Sequence, residues 1–222
     1  MWVINILWAI PTLLLVFAIT LLAGCAATRT QAPVAIYDFG LQRSSDMPHA
    51  SDTSSPPPLS ASLSVSVTSP AWLDTAAIRY RLAYHDLARS YVYGSNRWVA
   101  APATLLAQRI KTRIAAASGD AVVSANDGVR ADYALRLELE EFAQVFGAAN
   151  QSHAVVRWRA SLIEQTTRLP VAQRSFSMER AAPTADAAGA VRALTAASDS
   201  SIEQLISWLA RELAGKKQKP PL

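Results

Sequence analysis

With one cysteine, the chain can form neither an internal disulfide nor a cysteine-based zinc site. Its three histidines, His49, His85 and His153, are scattered, with no His-x-x-x-His spacing to suggest a metal. Also missing are a Gly-x-Ser-x-Gly nucleophile elbow and a glycine-rich phosphate loop. Charge is sparse: 17% of the 222 residues, with a net +4 spread along the chain apart from the cluster at Lys216–Lys219. That leaves no basic face or module for nucleic acid. Glu138, Glu140 and Glu141 resemble a carboxylate cluster, but Glu138 and Glu140 share the polar side of an alternating segment and read as surface charge. These absences argue against an enzyme, a metal and a dissociable cofactor.

What is present begins at the amino terminus. Residues 2–22, "WVINILWAIPTLLLVFAITLL", carry no charged side chain, although Pro11 interrupts them and no Lys or Arg precedes them. By length alone such a run could span a bilayer. Leu22-Ala23-Gly24-Cys25 decides otherwise, because it matches the bacterial lipobox: an aliphatic residue, two small ones and an obligatory cysteine. Small residues at 23 and 24 let extended backbone enter a peptidase that cuts between Gly24 and Cys25. The match implies that Cys25 carries an S-diacylglycerol and an N-acyl chain and anchors the protein to a membrane. Two or more chains hold stably where one does not, at about 0.8 kcal/mol per buried CH₂. Ala26 follows the cysteine, and the absence of Asp there favours the outer membrane.

The expected organisation is a signal peptide at 1–24, a lipidated tether at 25–34, one domain at 35–214 and a basic tail at 215–222. Residues 34–41 read as a first strand. Residues 42–60, with four prolines and six serines, read as a loop. "ASLSVSV" (61–67) alternates strictly, with Leu63, Val65 and Val67 inward. "SPAWLDT" (69–75) reads as a turn, 77–84 as a strand, and 87–98 as a short strand with a turn around Gly94. Pro102 opens a helix with a stripe of Leu106, Ile110, Ile114 and Ala117, ended by Gly119. After a short strand at 121–125, segments 131–142, 153–164 and 170–181 read as an antiparallel meander. A long helix at 185–214 closes the domain, with Val191, Leu194, Ser198, Ile202, Leu205 and Leu209 in one stripe and Gly215 ending it. The fold expected is α/β: a mixed sheet of about seven or eight strands with two helices packed on it.

Between Trp72 and Trp98 aromatic residues alternate with arginines. Two readings stay open: core packing of the tryptophans, or a surface for a protein partner, since aromatics and Arg are enriched at binding hot spots. The candidate surface comprises Trp72, Arg79, Tyr80, Arg81, Tyr84, Arg97 and Trp98.

"SPAWLDTAAIRYRL", "SNRWVAAPATLLAQRI", "ADYALRLELEEF" and "VVRWRASLIE", in that order behind a lipobox, resemble the ABC-type transport auxiliary lipoproteins. The resemblance covers most of 33–213. It implies a non-enzymatic, periplasm-facing lipoprotein that partners a mammalian-cell-entry (MCE) domain protein with its permease and ATPase, in transport of lipids or other hydrophobic molecules between membranes. It further implies docking of the MCE assembly at the outer membrane, and MCE rings make a homo-oligomer a natural expectation. No catalytic residue carries over; only Cys25 has a definite role. The competing reading is an unrelated periplasmic assembly or binding lipoprotein, a chaperone or pilot, which the same anchor and domain would serve.

Overall fold

The computed structural model describes residues 33–41, 59, 61–118, 122 and 129–217. The signal segment, Cys25, Gly119 and nearly all of the 42–60 loop lie outside these. Among these residues nine elements follow one another: β1 (Ala35–Tyr37), β2 (Leu63–Thr68), β3 (Ala77–Leu82), β4 (Asp86–Trp98), α1 (Pro102–Ser118), β5 (Tyr133–Ala148), β6 (Gln151–Glu164), β7 (Pro170–Ala181) and α2 (Ala187–Lys217). The seven strands form one mixed sheet in the order β1-β4-β3-β5-β6-β7, and β2 also pairs with β5.

β5 organises this sheet. Its first half pairs in parallel with β2 (Leu63 opposite Tyr133), and its second half pairs in parallel with β3 (Tyr80 opposite Gln144). β2 and β3 are therefore two stretches of one edge, separated by the turn in which Leu73 and Asp74 amides donate to the Pro70 carbonyl. On its other side β5 joins β6 and β7 as the expected antiparallel meander.

Both helices pack on one face of the sheet. All six residues of the 191–209 stripe are buried, as are Leu106, Ile110 and Ile114 of α1. They meet Leu135, Leu137 and Leu139 of β5 and Val156, Trp158, Ala160 and Leu162 of β6. The apolar stripe of α2 is thus a core face. The helices are also tied by charge. Arg109 grips Asp199 through two hydrogen bonds of 2.8 Å and donates to the Gly40 carbonyl at 3.2 Å, while Arg113 pairs with Glu203 at 2.9 Å.

Several boundaries depart from the sequence reading: the first strand keeps only Ala35–Tyr37 of 34–41, and β3 ends at Leu82, short of residue 84. β4 runs unbroken from Asp86 to Trp98, and Gly94 lies within it where the β3–β4 register slips between Ala77/Arg97 and Arg79/Val92. Glycine here marks an irregularity in the ladder, with no turn. β5 continues to Ala148 because Glu140 is a bulged extra residue: Leu139 faces Trp158 while Glu141 faces Arg157. α2 passes through Gly215 to Lys217. Of the strand expected at 121–125, Val122 makes an isolated parallel bridge to Leu63, and its neighbours lie outside the described residues.

Two carboxylates clamp element starts. Asp132 accepts from the Ser62 amide at 2.9 Å and hydroxyl at 2.8 Å, which holds its pKa below the usual carboxylate range. Asp186 caps α2: it accepts from the Thr184 hydroxyl at 2.6 Å and the Gly189 amide at 2.7 Å, and these bonds lower its pKa too. A carboxyl whose folded pKa lies below its unfolded value adds stability above the unfolded pKa, and that stability is lost as pH falls through the folded one. The melting temperature should therefore hold near neutrality and fall below about pH 4. Asp186→Ala should cost about 1 kcal/mol at pH 7 and flatten the acid limb of a Tm-against-pH series. An unchanged acid limb would remove Asp186 from this role.

Candidate functional site

The β3–β4 hairpin presents different chemistry on its two faces. Successive strand residues point to opposite sides, so Ile78, Tyr80 and Leu82 share the helix side with Tyr91 and Tyr93, while Arg79, Arg81, Ser90 and Val92 take the other.

On the helix side the packed helices stop short and an aromatic ladder begins. Tyr80 and Tyr91 are register partners with stacked rings 5.2 Å apart; Tyr93 lies 4.7 Å and Phe146 5.8 Å from Tyr80. The Arg89 guanidinium covers Tyr91 at 4.9 Å. Beneath the ladder the Tyr93 hydroxyl donates to Gln144 Oε1 at 2.6 Å, and Gln144 Nε2 donates to Ser152 Oγ at 2.8 Å. Gln144 is fully buried, so this chain satisfies a side chain that would otherwise be costly there. Burial first, then the nearby Tyr80 and Asp186, push the Tyr93 pKa up to about 12, so its hydroxyl remains a proton donor at neutral pH.

On the open side Arg81 pairs with Glu141 at 3.1 Å and reaches the Leu87 and Ala88 carbonyls at 3.4 and 3.5 Å. Arg79 donates to Ser90 Oγ at 3.3 Å and to the Trp72 carbonyl, with its guanidinium over the Trp72 ring at 5.5 Å. Both arginines thus brace the hairpin. Trp72 remains 43% exposed and Val92 half-exposed, and Tyr84 at the hairpin tip is 52% exposed, with Leu87 exposed as well.

The sequence-derived set divides accordingly. Trp72, Arg79 and Arg81 lie together on the open face, Tyr84 at the tip, and Tyr80 on the opposite face. Arg97 is exposed further along β4, opposite Ala77. Trp98 is corrected to a core residue: it is 1% exposed, against Phe39 at 5.6 Å and Phe142 at 5.8 Å, and cannot meet a partner on this surface. Phe146, Gln144 and Ser152 were missed. They come from β5 and β6, and only the folded sheet brings them under the ladder. Among the described residues there is no group of three or more His, Cys, Asp or Glu side chains that could hold a metal, and no helix is long and apolar enough to cross a membrane.

A family model described as ABC-type transport auxiliary lipoprotein component matches residues 41–205. The fold is shared with protein XCC0632 from Xanthomonas campestris, of the family DUF330: TM-score 0.69, 18% identity, 83% of this chain and 100% of that one covered. A second solved structure, described only as an uncharacterized protein, gives TM-score 0.59 at 14% identity over 82% of this chain and 99% of its own. No match is found among curated proteins.

Proposed function

This chain belongs to the family of ABC-type transport auxiliary lipoprotein components, and from that premise we propose that it docks an MCE-domain assembly at the outer membrane, without catalysis of its own. Lipoproteins of this kind are membrane-anchored in the cell envelope. In this reading the signal peptide is removed before Cys25, the acylated cysteine holds the domain on the periplasmic side, and the MCE protein connects it to a permease and ATPase that move a hydrophobic cargo. The family match over 41–205 carries the proposal.

The distal β3–β4 hairpin is the contact surface best suited to such a partner. It combines exposed Trp72, Tyr84, Leu87 and Val92 with arginines already held in place. Rigid aromatics beside fixed guanidiniums bind with little loss of side-chain entropy.

Affinity capture of the tagged full-length protein from detergent-solubilised envelopes, read by mass spectrometry, tests this. An MCE protein should be recovered, and Trp72→Ala with Tyr84→Ala should reduce its recovery about tenfold, the effect of losing roughly 1.4 kcal/mol. Repeated recovery of a different envelope complex instead would overturn the docking role in favour of an unrelated assembly lipoprotein. Metabolic labelling with palmitate should mark the wild type and leave Cys25→Ser unlabelled.

A further inference from the structure

Three arginines line a groove of about 380 Å³ between β7 and α2, and none has a carboxylate partner among the described residues. Arg174 and Arg180 come from the strand and Arg211 from the helix, with Ser200 and Ser207 in the wall. The carboxylate in the lining, Glu203, is already held by Arg113 of α1 at 2.9 Å. Arg180 donates to Ser200 Oγ at 2.8 Å, and Arg174 lies over the Phe176 ring at 5.2 Å. Both contacts orient a guanidinium and neutralise neither.

The groove runs beside an open sheet edge. β7 is 12 residues long and pairs with β6 along one side; no strand among the described residues pairs with the other. Unpaired amides and carbonyls in a row are a template for another strand.

We propose that this edge and groove take an extended acidic segment of a partner protein, added as a further strand with its carboxylates on the helix side. Every second side chain of such a strand points toward the helix layer. Arg174 and Arg180 share that side six positions apart, about 20 Å at about 3.3 Å per residue, so acidic residues on one face of the incoming strand reach both. A single phosphate cannot span that distance. β7–β7 pairing of two copies in the antiparallel register centred on Ser177 is disfavoured, because it sets Arg174 against Arg180 of the other copy and like charges directly opposite destabilise. The inference is independent of the MCE reading, because it fixes the chemistry of the segment and not the protein that carries it.

Fluorescence anisotropy with the full-length acylated protein in nonionic detergent provides the test. The probe is a labelled ten-residue peptide of alternating Glu and Thr. It should bind saturably, at least tenfold more weakly to Arg174→Glu/Arg180→Glu, and at least tenfold more weakly when its alternate amides are N-methylated. If the double variant melts early, Arg211→Glu, exposed on α2, should show the same loss. Equal binding of the N-methylated peptide would mean charge attraction without strand pairing and would overturn the proposal. So would failure of the peptide to bind, or its displacement by an equal concentration of dihexanoyl phosphatidylglycerol, which would mark a headgroup site.

Discussion

Trp98→Ala is expected to destabilise the domain by about 3–5 kcal/mol, while Trp72→Ala stays within about 0.5 kcal/mol of the wild type. The two tryptophans begin and end the same aromatic stretch, yet their surroundings have little in common. Trp98 closes β4 on the helix side, its ring edge-on to Phe39 and tilted against Phe142, which are themselves 6.0 Å apart. Removing the indole leaves a void bounded by two rings, β-sheet backbone and a helix layer, none of which can collapse freely into it. Trp72 sits on a turn with water on one side, and its carbonyl, which Arg79 uses, survives truncation. At roughly 2–4 °C per kcal/mol for a domain of this size, Trp98→Ala should lower Tm by about 6–20 °C. Urea melts of both variants, paired with capture of the envelope partner, separate stability from binding. Trp98→Ala protein that melts like the wild type would contradict its place in the core.

The contrast shows what could be read from the sequence and what could not. The meander and α2 were legible because their apolar residues keep one phase: Val156, Trp158, Ala160 and Leu162 at period two, and 191–209 at helical spacing, all buried. β5 was legible only to its middle. Before the bulge its large buried side chains, on the helix side, are odd-numbered, Leu135, Leu137 and Leu139; after Glu140 they are even-numbered, Phe142, Gln144 and Phe146. One extra residue reverses the alternation that a period-two reading depends on. The aromatic ladder was half-legible for a similar reason. Tyr80, Tyr91 and Tyr93 could be found, but not their common side, because that depends on a hairpin register slipped at Gly94. Gln144 carried no signal at all: its partner Tyr93 lies 51 residues away. An apolar-looking strand position filled by an amide becomes intelligible only when that phenol is in place. The two tryptophans fall under the same limit, since local sequence identifies an aromatic residue without saying which side of a turn is dry.

The most destructive small substitution is expected at Gly189, where Ala should destabilise by about 1–3 kcal/mol although alanine is the better helix former. Propensity alone argues the other way, favouring Ala over Gly by about 1 kcal/mol in a helix interior. Sterics decide. A Cβ on Gly189 would lie 1.9 Å from the Thr184 carbonyl oxygen, 2.7 Å from its carbon and 2.6 Å from its Oγ1. Two of these are backbone atoms, so no rotamer change relieves the contact, and the 182–186 segment must move. That segment is fixed at several points: the Ala182 amide donates to the Ser152 carbonyl at 2.9 Å, and Thr184 Oγ1 accepts from Arg192 at 3.0 Å. Displacing it therefore also endangers the Asp186 cap, worth about 1 kcal/mol, on top of about 1–3 kcal/mol for overpacking. Gly215, in the same helix, is the internal control: a Cβ there meets nothing within 4 Å, and Gly215→Ala should be neutral or mildly stabilising. Thermal melts of the two variants should move in opposite directions or differ by several degrees. If Gly189→Ala were the more stable protein, the β7–α2 connection would have to yield freely, and the Ser152–Ala182 bond could not be holding the rear of the tyrosine ladder in place. Acrylamide quenching of tyrosine emission is unsuitable in a chain with six tryptophans. Amide exchange at Ala182 and Gly189, the donors of the two bonds at issue, reads that coupling directly: fast exchange at both in Gly189→Ala, with β6 protection retained, places the damage at the cap and under the ladder together.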